Sequence, residues 1–174
     1  MEKKLDSKLV YNGKIIKVFK DDVLLDNGVL ATREIVEHQK GVSIAVKDKD
    51  GLYYMVKQYR YAFKKDMIEF CAGKVEEGEN PDETVIRECI EELGIEPINV
   101  KKLGMIIPSC GFSTEELYLY YGEVGKSLKQ HLDEDEELSI CKYSLEDIEK
   151  MIENGQIDDG KTIATMYYLK KECK

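Results

Sequence analysis

The stretch from Gly73 to Ile95 constrains this chain more than any other part of it. Asn80 is a good helix N-cap, Pro81 suits the first helical position, and Glu83 adds a capping-box-like pattern. Gly94 suits the left-handed position that ends a helix. Between these signals the spacing predicts a helix of about 13 residues, whose faces follow from roughly 100° per residue. Val85, Ile86, Cys89, Ile90 and Leu93 form an apolar stripe that is expected to bury. Glu88, Glu91 and Glu92 are expected on the opposite side, crowded into one turn. Such a cluster is either a solvated acidic face or a seat for a cation. Like charges at i,i+4 cost about 0.2–0.5 kcal/mol per pair, and a divalent ion removes that repulsion. An all-oxygen site favours Mg²⁺ or Mn²⁺ over zinc or copper. Arg87 is placed to pair with Glu91 at i+4.

The rest of the chain sets the scale. Its 174 residues suit one ordinary domain with a core that needs no staples. The net charge of −9 argues against nucleic acid or an anionic membrane as partner. An anionic small substrate then needs local help, such as arginines or a bound cation. No run of about 18 apolar residues spans a bilayer, and the first residues read as neither signal nor transit peptide. Five cysteines without a C-x-x-C pair suggest reduced thiols and a cytoplasmic location.

Strands are predicted over 8–11, 14–19 and 29–36, with hairpin turns at Asn12-Gly13 and Asn27-Gly28. Three such strands have little core of their own and must dock on something. Further strands are predicted over 42–46, 52–58, 67–70, 103–107, 116–122 and 138–143, with helices over 144–154 and 161–171. This order reads as α/β or α+β, with residues 1–40 as an N-terminal β-appendage and 41–174 as the main domain.

The wider spacing decides how the carboxylate helix is read. Gly73, Glu79 and the run from Arg87 to Ile95 give G-x5-E-x7-R-E-U-x-E-E-x-G-U, where U is bulky and apolar and Cys89 is the loosest fit. This resembles the signature of Nudix hydrolases. The resemblance implies an α/β/α sandwich around a mixed central sheet, and metal-dependent hydrolysis of a nucleoside diphosphate linked to another group. By position it makes Glu88 and Glu92 the principal metal ligands and Glu91 a further ligand or water-orienting group. It adds a metal contact from the Ala72 backbone carbonyl. Arg87 and Glu79 become partners that orient the glutamates.

Segments outside the signature are similar to ADP-ribose pyrophosphatases: Arg33 to His38, Lys57 to Arg60, Glu69 to Gly73, Ser109 to Glu115, and the acidic run Glu134 to Glu137. That likeness implies cleavage of ADP-ribose to AMP and ribose 5-phosphate, and a swapped homodimer through the N-terminal strands. Arg33, Arg60, Glu69 and Glu115 become substrate contacts, Glu134 the candidate base and Glu136 an extra metal contact. Tyr11, Phe19 and Tyr59 are each either core residues or a stacking surface for adenine. Cys71 and Cys110 stand where the related enzymes usually carry proline, and they read either as small buried residues, the favoured expectation, or as redox-sensitive thiols near the active site.

Overall fold

The computed structural model describes residues 1–132 and 136–172. The chain forms two compact units, Met1–Lys40 with Ile107–Glu116, and Gly41–Ile106 with Leu117–Lys174.

The first unit is a three-stranded antiparallel sheet of β1 (Glu2–Asn12), β2 (Ile16–Leu25) and β3 (Leu30–His38), in that order. Both turns fall where the Asn-Gly pairs predict them. Gly28, at φ +80°, lets its N–H reach the Leu25 carbonyl, and Asn27 accepts the Val29 N–H. β1 outruns its predicted length because it is exposed along its whole length and shows no in–out alternation. The 107–116 segment is tied to β3 by Val36 N–H to the Phe112 carbonyl and Thr114 N–H to the Val36 carbonyl.

The second unit is a seven-stranded mixed sheet. Its order is β10 (Leu138–Tyr143), β5 (Tyr53–Arg60), β4 (Gly41–Lys47), β9 (Leu117–Ser127) and β8 (Ile95–Ile106). The β4–β9 pair is parallel and its neighbours are antiparallel. Two short strands complete it: β6 (Lys65–Glu69) on β5 and β7 (Cys71–Lys74) on β4.

Strand β4 is buried on both faces, as a central strand must be. Val42, Ile44 and Val46 pack with Val85, Cys89 and Leu93 of α1 (Pro81–Leu93). On the other face Ala45 joins a cluster with Ile148 of α2 (Leu145–Glu153) and Met166 and Leu169 of α3 (Gly160–Glu172). Helix, sheet and helices thus form the three layers that the resemblance implies.

Two strands escape the sequence reading for local reasons. β7 has only four residues, too few for a period. β8 begins at Ile95 rather than near 103, because three register shifts and a positive φ at Asn99 break its alternation. Tyr11 and Tyr59 are exposed and Phe19 is half-buried, so none is a core residue. Cys71 is buried as expected, whereas Cys110 is exposed. No helix among the described residues is long and apolar enough to cross a membrane.

Candidate active site

α1 is capped as its sequence predicts. Asn80 Oδ1 accepts the N–H groups of Asp82 at 2.9 Å and Glu83 at 3.1 Å. Gly94 closes the other end at φ 64°, its N–H on the Ile90 carbonyl at 2.9 Å.

Which face buries differs from the expectation. Val85, Cys89 and Leu93 are buried, but Ile86 is exposed and Ile90 half-buried. The two isoleucines line a shallow surface groove of about 420 Å³ with Glu83, Arg87 and Glu91. Glu92 instead lies on the buried side, at 4% exposure. The helical wheel explains this: seven positions on, Glu92 sits only about 20° from Val85. The glutamates therefore do not form an outer acidic face. Glu88 and Glu92 turn inward, toward β7.

β7 is shaped to receive them. Gly73 pairs with Val42 of β4, and a Cβ built on it would coincide with the Glu88 carboxylate. Only glycine leaves that space. The Ala72 N–H donates to Glu92 Oε2 at 3.2 Å and pins the second carboxylate to the same strand.

Arg87 holds the outer edge. It forks onto Glu79, with Nε on Oε1 at 2.9 Å and Nη2 on Oε2 at 3.0 Å. Its Nη1 reaches Glu91 at 2.7 Å and Glu88 at 3.1 Å, and Nη2 also meets the Lys74 carbonyl at 3.2 Å. Glu79 further accepts from the Thr84 hydroxyl at 2.9 Å. One guanidinium thus ties the loop before α1 to two of the three glutamates, a bidentate arrangement lysine could not reproduce.

The charges record this packing. Burial pushes the Glu88 and Glu92 carboxyls up to about 7, and the negative charge of Glu136 adds to the rise at both. Hydrogen bonds from Arg87 and Thr84 hold Glu79 down at about 2. Burial, with Glu92 close by, raises the Cys71 thiol well above its ordinary range, so it is not a thiolate nucleophile.

A second ionic cluster lies in the same unit. Glu69 is 1% exposed, and Arg60 forks onto it with Nε–Oε1 at 2.8 Å and Nη2–Oε2 at 2.6 Å. Burial alone would raise the Glu69 carboxyl, but Arg60 and Lys161 hold it at about 2. Glu92 contributes to the field that keeps Arg60 protonated. Lys161 was invisible to sequence reasoning, because only the fold brings residues 92 positions apart together.

Arg33 and Glu115 belong to the first unit, where Arg33 forks onto Glu2 and Glu115 Oε1 lies 3.9 Å from His38 Nδ1. Glu134 lies outside the described residues.

Comparison with known proteins decides the family. The profile of the NUDIX domain matches residues 37–166. The chain belongs to the Nudix family. Residues 2–36 match the nucleoside diphosphate sugar hydrolase N-terminal domain. Over 170 residues the chain is 35% identical to the ADP-ribose pyrophosphatase of Bacillus subtilis (strain 168), covering 97% of this chain and 92% of that protein. It is also 35% identical over 171 residues to the methanol dehydrogenase activator of Bacillus methanolicus, with the same 97% and 92% coverage. A crystal structure of an ADP compounds hydrolase superposes with a TM-score of 0.89 at 17% identity, covering 98% of this chain and 92% of that one, which speaks for the fold.

The Nudix residues suit a hard divalent cation. The donors are all oxygens, the two innermost carboxylates carry unfavourable charge that a cation would relieve, and Gly73 keeps the Glu88 seat clear. Among the described residues no three acidic, histidine or cysteine side chains stand together as a ready-made metal cluster. Glu91 is drawn instead to Arg87 and Glu92 to the Ala72 N–H.

Proposed function

We propose that this Nudix protein hydrolyses the pyrophosphate bond of ADP-ribose to AMP and ribose 5-phosphate, with Mg²⁺ or Mn²⁺ as cofactor. The observation that carries the proposal is the pair Glu88 and Glu92 against β7, Glu88 in the space over Gly73 and beside Arg87, Glu92 on the Ala72 N–H. Glu88, Glu92 and the Ala72 carbonyl would hold the metal, with Glu91 and Glu136 as further ligands. When bound, such an ion neutralises diphosphate charge and lowers the pKa of coordinated water.

The chain's own groups do the rest. Arg87 holds Glu91 at the rim, reaches Glu88 further in, and offsets their mutual repulsion. Glu91, half-exposed and paired with Arg87, is assigned the orienting of the attacking water. Glu134 is the candidate to take that water's proton, a step typically worth about 10²–10⁴-fold. Arg60 offers donors to the diphosphate, and Glu69 holds Arg60 in place rather than touching substrate first. Arg33 and Glu115 are the further substrate contacts proposed from the first unit.

The substrate class is supported by the N-terminal match and by the relative named for ADP-ribose. A panel of ADP-ribose and UDP- and GDP-sugars, assayed by phosphate release after adding a phosphatase, tests it. ADP-ribose is expected to rank first; a rank far below the other sugars would overturn the assignment.

The active unit in this proposal is a homodimer in a cytoplasmic setting. Leu5, Leu9, Val10 and Tyr11 of β1 and Leu30 of β3 are exposed, apolar surface that a second copy would cover. Sedimentation at twice the chain mass is the expected result, and a monomer at micromolar concentration would remove the dimer.

A further inference from the structure

The cluster around Glu69 contains one cation more than a buried carboxylate needs. A single arginine in a side-on fork already satisfies both oxygens, and Arg60 supplies it. Lys161, in the first turn of α3, nevertheless donates to Glu69 Oε2 and is itself only 13% exposed. Its position is built, not incidental. Asp159 Oδ1 receives the Lys161 ammonium at 3.0 Å, while Asp159 Oδ2 receives the Thr162 N–H at 2.9 Å and its hydroxyl at 2.6 Å. Thr162 Oγ1 in turn accepts the buried Phe70 N–H at 3.0 Å, fastening the start of α3 to the residue after Glu69.

Arg60 is different. Its side chain is 39% exposed, and the fork commits only the Nε–Nη2 edge of the guanidinium to Glu69. Among the described residues no partner meets Nη1 on the opposite edge, which is left for another anion, and Arg60 lies near enough to Glu92 to feel its charge. The orientation of that free edge depends on the plane of the Glu69 carboxylate, and Lys161 holds that carboxylate from the α3 side.

We infer that Lys161 is a positioning residue for substrate binding: by pinning Glu69 Oε2 from α3, it fixes the direction in which Arg60 presents its free donors to the diphosphate. The inference rests on the hydrolase reading above. A lysine that merely joined α3 to the sheet would affect stability and leave substrate affinity alone, so the two roles separate in kinetics.

The test is a double-variant cycle on KM and kcat with ADP-ribose, with melting temperature measured in parallel. Arg60→Ala is expected to raise KM about 10–100-fold, the range for losing charge-assisted hydrogen bonds. It should lower kcat much less. Lys161→Met is expected to raise KM about 5–10-fold with kcat within about twofold, and Lys161→Arg to restore KM to within about twofold of wild type. In the Arg60→Ala background, Lys161→Met should leave KM unchanged, because its effect passes through Arg60. A lowered melting temperature with unchanged KM, or KM effects that multiply in the double variant, would overturn the inference. Lys161→Gln carries the same criteria should the methionine variant not fold. Wild-type protein that cleaves no nucleoside diphosphate compound would instead overturn the hydrolase reading itself, a result distinct from any variant outcome.

Discussion

Replacing Glu92 with glutamine is expected to lower kcat/KM by at least about 10³-fold, beyond the 10–100-fold typical of losing a group that only supports a metal ligand. The fold should survive. Glu92 is 4% exposed, and glutamine keeps its volume and its acceptor for the Ala72 N–H. The charge argument goes further. The folded-state carboxyl titrates at about 7 against an ordinary value of 4.5, chiefly because of burial. A carboxyl raised in this way is neutral in both states below the lower value. Between the two values the folded state keeps a proton that the unfolded chain releases, so stability falls as pH rises. Above about 7 the buried charge is a constant penalty. Glutamine removes that penalty, so at pH 8 with chelator the melting temperature of the variant should equal or exceed that of wild type. Near-normal turnover would strip Glu92 of its metal role.

The second large effect follows from the same two carboxylates. With chelator present, the melting temperature should fall between pH 5 and pH 8, as Glu88 and Glu92 lose protons in a buried setting. A shift from 4.5 to about 7 corresponds to roughly 3 kcal/mol for one such group. In a chain of this size that is about 6–12 °C. Millimolar Mg²⁺ or Mn²⁺ should reverse the fall at pH 8 and do little at pH 5, where protons occupy the oxygens instead. Glu69 does not disturb this window. Its carboxyl, held at about 2, contributes stability that is present above 4.5 and lost only as pH falls toward 2. Equal shifts by the cation at both pH values, measured by scanning fluorimetry, would argue that the ion binds elsewhere.

Much of this site was legible in the sequence because its signals are local. Asn80, Pro81 and Gly94 bound α1 to the residue, and the run from Arg87 to Ile95 carries its own spacing. The orientation of the helix was misjudged at Ile86 and Glu92, although the same 100° arithmetic places Glu92 beside Val85. Ile86 and Ile90 are apolar yet not on the buried side, where Glu88 fills the space over Gly73 and Glu92 meets the Ala72 N–H. β7 escaped because Cys-Ala-Gly-Lys has neither length nor alternation, yet it provides the floor of the site. The Lys161–Glu69 contact spans 92 positions and left no trace in any local window. Arg60 is expected from the resemblance to contact substrate; the fold also commits its Nε–Nη2 edge to Glu69, a pairing no local pattern announces.

The central claim is that these carboxylates create a cation-dependent site for breaking a diphosphate. The most direct measurement incubates the purified protein with ADP-ribose, with and without chelator, and identifies the products by mass. AMP and ribose 5-phosphate formed only when Mg²⁺ or Mn²⁺ is supplied is the predicted result. Intact ADP-ribose in the presence of either ion, or the same products at the same rate in excess chelator, would contradict it.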